Sequence, residues 1–239
     1  MSNEQNIKEL KYLNFPIQVL DGFLENPNMV LERIFKYATC YHANKLKLGV
    51  FCEKYESTIS CYGYKYQNVI KAALEAEKVF NSFNRAQGDN CPIVGLHIDI
   101  FNRFLNSETT EFEKICLLGF LGLKSILQRK TFCKVTNNYW LARMDGKAKS
   151  VKDFKELSAP IRKYANEYQT KKIKSYLQDD WGLITYARYT KGFYVSFKLD
   201  KEQLIEKVEL KRRSTKEKQR KLEEKIILQR VLNKLNNES

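Results

Sequence analysis

The sequence predicts a mainly α-helical protein with one β-hairpin, and three observations lead to that class. Helical periodicity recurs from about residue 28 to the last turns of the chain, whereas alternation at period two covers residues 183–198. The third observation is charge. The net charge is +14, with 13 Lys and Arg against 14 Asp and Glu in residues 1–123, 17 against 7 in 124–200, and 12 against 7 in 201–239. The first stretch is close to neutral and the remainder strongly basic, which points to a polyanionic partner for the later part.

Composition narrows the class further. A chain of 239 residues with 43% hydrophobic and 13% aromatic content can bury proper cores and is not a disordered segment. The six cysteines, Cys40, Cys52, Cys61, Cys91, Cys116 and Cys133, show no C-x-x-C spacing and sit mostly beside apolar neighbours, as reduced core cysteines do. The N-terminus is polar and resembles no signal peptide. The longest uncharged apolar run, Ile115 to Leu123, falls far short of the roughly 18 residues a membrane span needs. A cytoplasmic location is expected, in a bacterial cell or a virus-infected host cell. High Lys, Asn, Ile and Tyr usage suits an AT-rich phage, plasmid or other mobile genome.

Residues 1–110 read as an all-helical region suited to a partner or to dimerisation. Asn26-Pro27-Asn28 opens a helix over 28–45 whose buried face takes Met29, Leu31, Ile34, Tyr37 and Ala38. A loop and a short helix are expected over 46–64, a firmer helix over 67–83, a loop at 87–90 and a short apolar segment over 92–104. Ser107 to Thr110 are capping residues for Glu111 to Leu127, the most apolar helix of the chain. That helix should lie buried between layers, with Gly119 and Gly122 admitting a close neighbour. Thr136 caps a helix over 137–144, residues 145–155 form a basic loop, and Pro160 starts a helix that breaks near Thr170.

The stretch from Thr170 to Leu199 organises the rest. With Thr170 as N-cap, Lys171, Lys174, Ser175 and Gln178 share one face of a helix, and Ile173, Tyr176, Leu177 and Asp180 the other. The helix stops at Gly182. Two alternating strands follow, Leu183 to Arg188 and Phe193 to Lys198, joined by a short loop in which Gly192 can take positive φ. This pattern resembles the third helix and wing of the winged-helix DNA-binding superfamily, directly over about 30 residues and over about 90 when the preceding helices are counted. The resemblance implies a winged-helix-like nucleic-acid-binding domain over 111–200, with a basic C-terminal helix over 201–239. Winged helices also serve as protein-interaction modules.

The expected function is non-enzymatic binding of double-stranded DNA, as a regulator or replication-associated factor of a phage, plasmid or other bacterial mobile element. Lys171, Lys172, Lys174, Ser175 and Gln178 would face a groove, Arg188 and Lys191 would grip flanking backbone from the wing, and Arg162, Arg212 and Arg213 would add phosphate contacts. Lysine-rich contacts position a duplex more than they read its bases. The alternative is an interaction protein that docks on a host nucleic-acid enzyme or within a virion. No cofactor or metal is expected: His42 and His97 are the chain's two histidines, and no P-loop, dinucleotide-binding, nucleophile-elbow or zincin motif is present. His97-Ile98-Asp99 reads as a structural histidine, Asp179-Asp180 as helix-end turn chemistry, and Tyr139-Trp140 as core.

Overall fold

Strand β1 (Tyr12–Pro16) alternates over five residues, and its Leu13 and Phe15 are fully buried. The computed structural model describes residues 10–46, 49–87, 91–187 and 191–237, so residues 88–90 of the loop expected at 87–90 and the hairpin residues Arg188, Tyr189 and Thr190 lie outside the described residues, and Gln87 is the last residue of a helix. Asn26 caps α1 (Pro27–Ala43) by accepting from the Met29 amide at 3.2 Å, and Met29 itself, expected on the buried face, is exposed. Helices α2 (Phe51–Cys61) and α3 (Val69–Gln87) pack on α1 around Cys40, Ala43, Tyr55, Ile59, Ala73 and Ala76.

Strand β2 (Ile93–His97) returns to pair antiparallel with β1, setting Leu13 opposite Leu96 and Phe15 opposite Val94. The N-terminal region is therefore not all-helical. Five-residue strands about 80 positions apart leave little periodic signal, because long-range pairing and not local pattern stabilises them. Helix α4 (Ile98–Asn106) follows at once, and the His97 ring caps it by accepting from the Asp99 amide.

Helix α5 (Glu111–Leu127) starts with a reciprocal cap: the Thr110 hydroxyl accepts from the Glu113 amide at 3.1 Å, and the Glu113 carboxylate accepts from the Thr110 amide at 2.9 Å. It runs through the middle of the molecule, buried as expected. A methyl group at Gly119 would stand 3.1 Å from Ile173 and 3.2 Å from Trp140, so glycine there sets how near the neighbours come. Trp140, on α6 (Asn137–Met144), is fully buried and its indole donates to the Gly119 carbonyl at 2.9 Å. One apolar cluster runs without interruption from Leu13 to Val195. That cluster draws on residues from both sides of residue 110.

Strand β3 (Cys133–Val135) lies between α5 and α6; the sequence pattern did not anticipate it. Short helix α7 (Ala159–Arg162) begins one residue before the expected Pro160 and ends before a break at residues 163–166. Helix α8 (Glu167–Trp181) then starts from Asn166, which accepts from the Gln169 amide at 2.9 Å. Thr170 is not its N-cap. It sits inside the first turns, buried, with its hydroxyl donating back to the carbonyls of Asn166 and Glu167. Gly182 ends the helix in the left-handed conformation at φ 66°.

Strands β4 (Ile184–Tyr186) and β5 (Phe193–Ser196) form the expected antiparallel pair, and β3 adds to the far side of β5, giving the order β3–β5–β4. The inner face of this sheet contributes Val135, Phe193 and Val195 to the core. Helix α9 (Lys201–Asn237) packs against β4 and β5 through buried Leu204 and Val208; every residue from Arg213 to Arg230 is exposed. Among the described residues, no helix is long and apolar enough to cross a membrane.

Candidate nucleic-acid interface

The surface around α8 is fixed from beneath. Ile173 and Leu177 point into the core against Gly119, and Phe112 meets Tyr176 edge-on with ring centroids 5.5 Å apart. These anchors present Lys171, Ser175 and Gln178 outward on one face, as the periodicity predicts.

The rest of the expected set divides. Lys171 is exposed but pairs with Glu167 one turn back, at 2.7 Å. That ammonium holds the Glu167 carboxyl below its ordinary range. Ser175 lies 3.4 Å from the Asp179 carboxylate, and the Gln178 amide donates to the Thr185 hydroxyl at 2.9 Å, tying α8 to β4. Lys172 leans the other way, its ammonium 4.6 Å from the Phe112 ring centroid on the α5 side. Lys174 is half-buried, laid over Phe193 at 4.5 Å. Burial pushes its pKa down and neighbouring Lys171 pushes the same way, with Glu167 opposing. The outward face of α8 is therefore less basic than the sequence suggests, since Glu167 and Asp179 share it with Lys171.

Arg162 and Arg212 also have structural work. The Arg162 guanidinium donates to the carbonyls of Lys155 and Leu157, both at 2.8 Å, and so holds the loop before α7. Arg212 pairs with Glu209 at 3.3 Å, and Glu209 accepts from the Tyr186 hydroxyl at 3.1 Å, which couples α9 to β4. Lys191 and Arg213 are exposed, and Arg188 lies outside the described residues.

Two features escaped the periodicity argument. Tyr168, in the first turn of α8, is 71% exposed and lies on the side of Lys171 and Ser175. Helical spacing alone would have placed it there; it was overlooked because the helix was started at Thr170. The second is Lys211, whose ammonium is 5.8 Å from the Phe132 ring and which carries the positive charge of α9 back onto the sheet.

Trp140 is core and His97 is a cap, as expected. All six cysteines are free thiols, with Cys40 and Cys116 buried; burial pushes both thiols up to about 12, far from a reactive thiolate. Among the described residues, no three His, Cys, Asp or Glu side chains gather into a group that could hold a metal ion. Comparison with protein-family models, curated proteins and solved structures gives no match to this chain.

Proposed function

We propose that this chain is a non-enzymatic, double-stranded-DNA-binding protein, a regulator or replication-associated factor of a phage, plasmid or other bacterial mobile element, acting in the cytoplasm. The observation that carries the reading is the element order α5–β3–α6–α7–α8–β4–β5, in which α7 is a single short turn, with β3 paired to β5. This is the arrangement a winged-helix-like domain would have, with α8 as the groove helix and β4–β5 as the wing. In this reading Lys171, Ser175, Gln178 and Tyr168 meet the groove, Lys191 and Arg188 meet flanking phosphates, and Arg213 extends the phosphate contacts. Lys174 supports the wing through Phe193 more than it touches DNA.

Fluorescence anisotropy of the full chain against random duplexes, across a salt series, tests this. Log affinity should fall linearly with log salt, and Lys171→Glu with Lys191→Glu should weaken binding about tenfold or more while leaving the melting temperature within a degree or two. Duplex affinity unchanged by that pair would sink the groove-and-wing reading.

A second reading, a protein-interaction role, is favoured by α3. Ile70 and Leu74 lie one helical turn apart on it and are 63% and 54% exposed, with Tyr66 nearby at 44%. In that case a protein partner, and not a duplex, would be retained by the immobilised full chain.

A further inference from the structure

A cleft of about 600 Å³ separates the β1–β2 sheet from the turn that follows α5. Asn14 and residues 91–95 form one wall; Lys124, Gln128, Arg129 and Lys130 form the other. Three cations line it and no carboxylate does. None of the three pairs with a carboxylate among the described residues.

Lys124 is the least comfortable of them. It is half-buried, its ammonium 5.8 Å from the Phe120 ring and 5.4 Å from the Phe197 ring, and burial lowers its pKa with Lys198 adding to the effect. The negative end of the α5 dipole offsets only part of the charge of these three cations, since it amounts to roughly half a charge. The turn itself is unusual. Gln128, at φ 49° and ψ −116°, is the one described non-glycine residue with positive φ, held by the Lys130 amide donating to the Leu127 carbonyl at 2.9 Å. That strained turn places Arg129 and Lys130 side by side at the rim.

We infer that this cleft binds a phosphate-class anion, with Arg129 and Lys130 gripping its oxygens from the rim and Lys124 supplying charge at the floor. A planar guanidinium can engage two phosphate oxygens at once, while the lysines act as point charges. The Gln128 side-chain amide can add a donor, while one N–H of the Asn14 amide already serves the His42 ring. The anion comes either from a small phosphate-bearing molecule or from the backbone of a bound duplex, and the duplex case rests on the DNA-binding reading above.

The test uses the full chain, the double variant Arg129→Gln/Lys130→Gln, and Lys124→Met, which keeps the packing on Phe120 and Phe197. Two measurements run side by side: the melting temperature with and without millimolar pyrophosphate at constant ionic strength, and duplex affinity against salt. A pyrophosphate-induced rise in melting temperature, present in the wild type and lost in both variants, establishes a small-molecule site. A double variant whose salt slope is shallower by about 2, reflecting two lost phosphate contacts, establishes the duplex backbone as the source. Pyrophosphate stabilisation of a wild type that binds no duplex keeps the cleft and removes the DNA-binding reading. Variants identical to wild type in both measurements, or a pyrophosphate effect that survives in them, overturn the inference.

Discussion

Helices α5 and α9 are built from the same backbone geometry and live in opposite environments. Of the 17 residues of α5, ten are buried, and the helix is gripped by α6, α8 and β2. Helix α9 is 37 residues long, about 55 Å at the usual rise, yet among the residues whose burial is described only Leu204 and Val208, near its start, are buried. Ion pairs at one-turn spacing, such as Lys221–Glu217 at 3.2 Å and Arg220–Glu224 at 3.3 Å, support its solvated part. Such pairs contribute only about 0.3–0.5 kcal/mol each. The contrast teaches that one helix is stabilised by what surrounds it and the other by its own charge pattern and a short anchor.

Mutations can break or sharpen that contrast. Trp140→Ala should have the largest effect, because it empties the seam between α5 and α6 and strips the Gly119 carbonyl of its donor; a loss of about 3–5 kcal/mol is expected in urea unfolding. A loss under about 1 kcal/mol would mean that α5 is not held from that side. Thr110→Ala removes the reciprocal cap of α5 and should cost about 1 kcal/mol, read from the same midpoints.

The contrast between inside and outside extends to titration. The His42 ring is largely buried, accepts from the Asn14 amide at 3.0 Å, and has its pKa lowered from 6.5 chiefly by that burial, with Lys45 adding to it. The unfolded chain therefore takes up this proton first. Stability is complete above about pH 6.5 and declines as pH falls below it, by at most about 1.4 kcal/mol per pH unit. His42→Gln should flatten that decline; an unchanged slope would assign it to other groups.

The smallest effect belongs to α9. Ile227→Ser with Leu228→Ser changes residues that are 59% and 64% exposed and should move stability by less than about 0.5 kcal/mol. A larger, concentration-dependent loss would show that α9 is covered by a second copy in solution.

Much of this architecture could be read from local signals. Caps at Asn26, Thr110 and Thr136, the apolar run of α5, the stop at Gly182 and the alternation on either side of Gly192 each need only a few neighbouring residues. Strands β1, β2 and β3 were missed because each is three to five residues long and is stabilised by a partner far away in sequence. Thr170 misled because it satisfies the capping rule as well as Asn166 does; what decides between them is that Thr170 is buried in the assembled fold. The face with Lys171, Ser175 and Gln178 was legible from spacing. The posture of Lys174 was not, since Phe193 reaches it from the hairpin. Nor was the cationic cleft, whose two walls are separated by some 30 residues of chain.

Gly192 links the hairpin to the rest of the sheet. Its φ is 101°, and any β-carbon there would collide with the Val135 carbonyl of β3. A side chain at this position would pry β3 from β5, so evolution has one amino acid to choose from if the sheet is to survive. Glycine at 192 is accordingly the residue by which divergent relatives of this fold should be recognised, long after the lysines on its surface have drifted.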